Sequence, residues 1–199
     1  MKKIAVFFPG IGYTADKPLL NYSRRLAADL GYEIRLLPYT GFPEKVRGDR
    51  NKMVESYEIA LEQSRQMLAD VDFTDFEDIL FIGKSIGTIV SARLASECLA
   101  PIRQVFYTPL EDTFFFPFED AITFTGAADP WVGMERSRIR ALCEERNIRC
   151  VVLPDANHSL ESRDLQQDIK NLSMVMEETS EFILHRTIPA GGGPLSPDA

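Results

Sequence analysis

The chain has 199 residues, of which 45% are hydrophobic and 26% are charged, as expected for one globular domain. Its formal net charge of −8 argues against nucleic acid and anionic membrane surfaces as partners, because both favour clusters of basic side chains. The three cysteines are odd in number and fall in helix- or strand-like segments, which predicts reduced thiols and a cytoplasmic location.

Short apolar runs alternate with amphipathic stretches along the chain. This alternation predicts an α/β fold, with one doubly wound, mostly parallel sheet of about six strands and helices on both faces. The predicted strands are residues 4–8, 33–38, 79–82, 104–108, 121–125 and 149–153. The predicted helices are residues 18–30, 51–70, 88–98, 134–147 and 162–184. We expect a single domain over residues 1–188 and a flexible tail, rich in glycine and proline, over residues 189–199.

The most informative motif follows the third predicted strand, where residues 83–87 read Gly-Lys-Ser-Ile-Gly. This is the G-x-S-x-G pattern in a strand–turn–helix setting, where a sharp turn holds the serine hydroxyl above the sheet. The flanking glycines are needed because side chains there would collide with a neighbouring strand or helix. Ser85 is therefore the candidate nucleophile, and Lys84 is expected to flank the turn without a chemical role. The amide of Ile86 lies at a helix N-terminus, where it is free to face an oxyanion.

A serine nucleophile needs a base, and the chain has two histidines. His158 lies in a loop after the sixth predicted strand, whereas His185 ends the last predicted helix. A carboxylate should follow a strand that lies between the serine and the histidine, and Asp129 occupies that place. The order Ser85, Asp129, His158 is the chain order of the α/β-hydrolase triad and of neither chymotrypsin nor subtilisin.

With these motifs, the chain resembles a small α/β-hydrolase of the lidless serine esterase or dienelactone-hydrolase-like type over roughly residues 4–184. The resemblance is carried by Phe-Pro-Gly-Ile-Gly at 8–12, the serine motif at 83–87, Thr-Gly-Ala-Ala-Asp at 125–129 and Asn-His-Ser-Leu at 157–160. It implies a minimal α/β-hydrolase fold. The first loop usually reads His-Gly in this family but reads Pro9-Gly10 here. The resemblance implies that the amide of Ile11 is the second oxyanion donor.

Two other carboxylates are candidates for the role of triad acid that is assigned to Asp129. In some members of the family the acid follows the preceding strand, which would make Glu111 or Asp112 the partner of His158. Asp129 is favoured because Thr-Gly-x-x-Asp at a strand end is the commoner arrangement in the family.

A short segment that is rich in phenylalanine separates the fourth and fifth predicted strands. It is too short for a helical lid, and it follows a strand end on the catalytic side of the sheet. Its aromatic side chains either line an acyl pocket or pack as core under the last two helices. The candidate substrate-binding residues are Tyr13, Phe114, Phe115, Phe116 and Trp131. An open site with short apolar walls favours short acyl groups.

The sequence therefore predicts a serine hydrolase that cleaves a small-molecule ester or thioester, with no cofactor and no metal. Peptidase or acyltransferase chemistry would use the same three residues. A hydrolase fold kept as a binding or interaction module, with an unused triad, is the alternative from another functional class.

Overall fold

The computed structural model describes residues 2–131 and 138–185. Its strands form one sheet in the order β2-β1-β3-β4-β5-β6, and every pairing is parallel. The strands are β1 (Lys3–Phe8), β2 (Glu33–Leu36), β3 (Asp78–Lys84), β4 (Ile102–Tyr107), β5 (Ala121–Gly126) and β6 (Arg149–Leu153). The predicted six-stranded, doubly wound α/β sheet is confirmed.

Helices connect the strands and complete the fold. Within the described residues they are α1 (Pro18–Asp29), α2 (Arg50–Met67), α3 (Ile86–Glu97), α4 (Arg138–Glu145) and α5 (Leu165–Leu184). Two 3₁₀ segments, Phe73–Asp75 and Glu111–Phe115, precede β3 and β5 respectively. Residues 134–137 of the fourth predicted helix and the predicted tail at 189–199 lie outside the described residues. None of the described helices is long and apolar enough to span a membrane.

Local sequence signals set the ends of these helices. Pro18 begins α1, where its fixed φ suits the first turn and no amide is needed. Gly31 follows that helix with a φ of +83°, a conformation that other residues rarely adopt. Asp49 and Asp164 cap α2 and α5, and each carboxylate accepts hydrogen bonds from two amides of the first turn.

Both faces of the sheet are covered by helices. Side chains alternate along a strand, so each strand supplies apolar residues to both faces. On one face, Ile82 and Tyr107 pack in a core with α1 and α5. On the other, Phe81 packs with α2 and α3, while Phe106 packs with α3 and α4. All residues of β3 are buried, and this strand lies third of six. The turn that follows β3 is therefore fixed at the middle of the carboxyl edge of the sheet.

Candidate active site

Ser85 lies in a sharp turn between β3 and α3. Its φ of 56° and ψ of −124° are a strained combination for a residue with a side chain. Backbone bonds hold the turn: the Ser85 amide donates to the carbonyl of Tyr107 at 3.0 Å, and the Thr88 amide donates to the Ser85 carbonyl at 2.9 Å. The turn has the geometry that the G-x-S-x-G motif predicts.

Two glycines allow this turn to pack against its neighbours. A Cβ on Gly83 would lie 2.8 Å from the Cα of Thr88 in α3. A Cβ on Gly87 would lie 2.0 Å from the carbonyl oxygen of Phe8 at the end of β1. Both distances are too short for any side chain, as the sequence predicted. The close packing brings the loop after β1 against the start of α3.

The structure brings the three predicted triad residues together. The Oγ of Ser85 lies 2.7 Å from the Nε2 of His158, and the Nδ1 of His158 lies 2.7 Å from the Oδ2 of Asp129. The other carboxylate oxygen of Asp129 accepts a hydrogen bond from the Trp131 amide at 2.9 Å. Asp129 is only 1% exposed, so the carboxylate is held in place by these partners away from solvent.

Backbone contacts hold the loop after β5, which carries Asp129, against the loop after β6, which carries His158. The amide of Ala128 donates to the carbonyl of Ala156 at 2.9 Å, and a Cβ on Gly126 would lie 2.1 Å from the same oxygen. The hydroxyl of Thr108, which follows β4, donates to the carbonyl of His158 at 3.0 Å. These positioning contacts were not expected from the sequence, although the glycine of Thr-Gly-x-x-Asp signals a close backbone approach.

The imidazole of His158 lies in an environment that favours its neutral form. Burial is the main cause that lowers its pKa, and the positive charges of Lys84 and Arg47 lower it further. The hydrogen bond to Asp129 acts in the opposite direction and raises this pKa, but it does not outweigh burial. The ring of Trp131 stacks on the imidazole with 5.3 Å between the ring centroids. A neutral imidazole at neutral pH is able to accept a proton.

The two predicted oxyanion donors lie beside Ser85. Ile86 is the first residue of α3, and the first amides of a helix have no carbonyl partner within it. Ile11 lies between Gly10 and Tyr13, whose amides and carbonyls pair with each other at 3.2 Å. A Cβ on Gly10 would lie 3.1 Å from the Cβ of Ser85, so the loop that carries Ile11 runs directly past the serine.

The rival acids lie elsewhere. Glu111 and Asp112 are exposed, and Glu111 lies 3.8 Å from Arg138 of α4 in a surface ion pair. The second histidine, His185, is exposed at the end of α5. Among the described residues, the carboxylate that contacts His158 is that of Asp129.

A cavity of about 390 Å³ opens beside Ser85 and His158. Tyr13 and Trp131, two of the five predicted substrate-binding residues, lie in its wall, and so does Ile11. No group of three or more His, Cys, Asp or Glu side chains is placed to hold a metal ion within residues 2–131 and 138–185.

The three predicted phenylalanines do not line this cavity, which corrects the expected acyl pocket. Phe114 is 3% exposed and packs in the core with Phe106 and α4. Phe115 is 76% exposed, and Phe116 packs partly buried under the guanidinium of Arg93. The reason is that the 3₁₀ segment Glu111–Phe115 packs over α3 and α4, while Phe116 fills a small apolar cluster with Ile86 and Trp131.

Much of the cavity wall consists of residues that were not predicted from the sequence. The loop between β2 and α2 contributes Lys45, Val46 and Arg47, and Met53 of α2 also lines the cavity. The available signal was positional, since this loop leaves the carboxyl end of a parallel strand, where binding sites of α/β sheets form. Lys84 was expected only to flank the turn, but it also lines the cavity although it is only 1% exposed.

Comparisons with known proteins place this geometry in a wider context. No family model matches the chain, and no curated protein matches it. Solved structures do match over most of its length. The chain has the α/β-hydrolase fold.

Three of these structures illustrate the match. A protein proposed to be a hydrolase of the α/β superfamily, from Xanthomonas campestris pv. campestris, has a TM-score of 0.65 and 15% identity, covering 92% of this chain and 99% of that one. A serine hydrolase without a lid, from Xanthomonas campestris, has a TM-score of 0.56 and 13% identity, covering 92% and 83%. Est1E from Butyrivibrio proteoclasticus, with ferulic acid bound, has a TM-score of 0.65 and 14% identity, covering 92% and 88%.

The predicted resemblance to a small lidless α/β-hydrolase is confirmed at the level of the fold. Between β4 and β5 this chain has only the short 3₁₀ segment Glu111–Phe115, where many α/β-hydrolases carry a helical lid. At identities of 13–15% the match concerns the fold, and the chemistry has to be argued from the site itself.

Proposed function

We propose that this protein is a serine hydrolase that cleaves a small ester or thioester through an acyl-enzyme on Ser85. The observation that supports the proposal most directly is the pair of 2.7 Å contacts that link Ser85 to His158 and His158 to Asp129. The strained turn at Ser85 and the α/β-hydrolase fold support the same chemistry.

The first half-reaction begins with proton transfer from the serine. When the Nδ1–H of His158 donates to Asp129, its Nε2 is unprotonated and accepts the Ser85 proton as the hydroxyl attacks the carbonyl carbon. Asp129 holds the imidazole in this tautomer and stabilises the imidazolium that forms. The lowered pKa of His158 keeps the base neutral before each turnover.

The tetrahedral intermediate carries a negative oxygen that needs donors. The amides of Ile11 and Ile86 are the proposed donors, and the N-terminus of α3 adds the positive end of its helix dipole. As the intermediate collapses, the imidazolium of His158 gives its proton to the departing alcohol or thiol. A water then attacks the acyl-enzyme, with His158 as base again, and releases the carboxylic acid and the free serine.

Labelling with a fluorophosphonate tests this proposal, because the reagent modifies an activated serine quickly and ordinary serines slowly. We expect rapid modification of Ser85, located by peptide mass spectrometry, while Ser159 in the same cavity stays unmodified. Ser85→Ala should abolish the label and the turnover of p-nitrophenyl butyrate. An unlabelled Ser85 in a folded protein would instead support the binding-module alternative.

A further inference from the structure

The wall of the cavity beside Ser85 is cationic. Lys45, Arg47 and Lys84 all line it, and none of the described residues in the wall is acidic. The chain as a whole has the opposite balance, with 30 acidic and 22 basic residues. Three basic side chains around one cavity in so acidic a protein point to a ligand that carries negative charge.

Lys84 is the most informative of the three. Its ammonium lies 4.9 Å from the centroid of the Tyr13 ring, and in the described part of the chain no carboxylate lies within ion-pair distance of it. Both carboxylate oxygens of Asp129 are already engaged by His158 and by the amide of Trp131. A buried ammonium without a directly paired carboxylate is costly, and burial lowers the pKa of Lys84 to about 7. The negative charges of Asp129 and Glu161 act in the opposite direction but do not outweigh burial.

Arg47 and Lys45 extend the positive charge toward the mouth of the cavity. The guanidinium of Arg47 lies over the Trp131 ring, 5.9 Å from its centroid, and Lys45 is exposed. Within residues 2–131 and 138–185 neither side chain forms a salt bridge. The charges of Arg47 and Lys84 both lower the pKa of His158, so an anion bound to them would lie close to the reacting carbonyl.

We propose that the substrate of this hydrolase is an ester or thioester that carries an anionic group, a carboxylate or a phosphate, on its acyl part, and that Lys45, Arg47 and Lys84 bind this group. The inference rests on the proposed function, because it assumes that Ser85 attacks the carbonyl of the bound molecule. An anion near Lys84 supplies the direct ion pair that Asp129 and Glu161 do not form with it, and Arg47 and Lys45 add attraction at the entrance.

The test compares esters that differ in charge. The mono-p-nitrophenyl ester of glutaric acid is measured beside p-nitrophenyl pentanoate, which has an acyl chain of the same length without the charge. The p-nitrophenyl ester of 4-phosphonobutyric acid forms the phosphate-like arm. The quantity compared is the ratio of kcat/KM for each anionic ester to that for the neutral ester. A larger ratio for the glutarate ester indicates that the site binds a carboxylate, and a larger ratio for the phosphonobutyrate ester indicates that it binds a phosphate.

We expect the ratio to exceed one for the wild-type protein and to fall about three- to tenfold in Arg47→Gln and in Lys84→Met. The ratio should also fall with added salt, since salt screens exposed charges. For the glutarate ester, whose carboxylate is fully ionised in this range, the ratio should fall as the pH rises through about 7, because Lys84 then loses its proton. The titration of His158 affects both esters alike and cancels in the ratio. Arg50→Gln is the matched control, because Arg50 is an exposed arginine outside the cavity wall.

The possible outcomes separate this inference from the proposed function. Turnover of the neutral ester with a wild-type ratio near one, or an equal fall in Arg47→Gln and Arg50→Gln, would overturn the inference and leave the hydrolase proposal standing. No turnover of any ester, together with no labelling of Ser85, would overturn both. Should Lys84→Met fail to fold, Arg47→Gln and the salt dependence of the wild-type ratio still decide the question.

Discussion

The carbonyl oxygen of Ala156 lies 2.1 Å from the point that a Cβ on Gly126 would occupy. Gly126 ends β5 and begins the loop that carries Asp129, while Ala156 lies two residues before His158. The same carbonyl accepts a hydrogen bond from the Ala128 amide. The two loops therefore meet through their backbones, and this contact sets the distance between the carboxylate and the imidazole.

We expect Gly126→Ala to lower both stability and activity, because the new methyl group must push the histidine loop away. The free energy of unfolding should fall by about 1–3 kcal/mol, as in other overpacked sites, with a clear loss of kcat. Gly31→Ala is the control: a side chain at its φ of +83° costs about 1–2 kcal/mol, but Gly31 precedes β2 at the amino edge of the sheet, opposite the edge that carries Ser85. Chemical denaturation and steady-state kinetics on both variants check this. Equal losses of kcat in Gly126→Ala and Gly31→Ala would show that the contact at Gly126 does not position the catalytic residues.

Much of the fold was predictable because buried parallel strands read as continuous apolar runs. The differences lie at the ends of elements. The third strand was predicted at residues 79–82 but runs from Asp78 to Lys84, and both of these residues are buried although their side chains are ionisable. A pattern of apolar residues alone does not reveal such a strand end.

The three candidate triad residues were predictable because each follows a strand, in a motif whose spacing is set by local backbone geometry. The cavity wall was not predictable, because the loop from β2 to α2 has no periodic pattern of apolar residues and tertiary packing orients its side chains. The phenylalanine segment shows the same limit. Its position after a strand end suggested the catalytic side, but packing against α3 and α4 directs Phe114 into the core.

Asp129→Asn should lower kcat by about 10⁴-fold with little change in KM, because an amide at this position favours the wrong tautomer of His158. Glu111→Gln is the matched control, since Glu111 is an exposed acid that was the rival for the same role. Steady-state kinetics on an ester that the wild-type protein turns over measures both variants. The assignment of Asp129 fails if Glu111→Gln shows the larger loss.

Ser85→Gly should be inactive but more stable than Ser85→Ala by about 1 kcal/mol. The turn holds residue 85 at a φ of 56°, which strains any side chain and suits glycine. Both variants lack the nucleophile, and each should lose on the order of 10⁴- to 10⁶-fold in kcat. The difference in the free energy of unfolding is measured by urea denaturation. A Ser85→Gly variant no more stable than Ser85→Ala would show that the turn stores no strain.

The pH dependence of kcat/KM should reflect the lowered pKa of His158. The base must be neutral to accept the Ser85 proton, so the acidic limb for a neutral ester should lie below about 6.5, the usual value for histidine. Lys84→Met removes a positive charge that disfavours the imidazolium. The pKa of His158 should then rise, and the acidic limb should move to higher pH. Arg50→Gln removes an exposed charge outside the cavity wall and should leave the limb in place. A shift to lower pH in Lys84→Met would mean that Lys84 does not act on His158 through its charge.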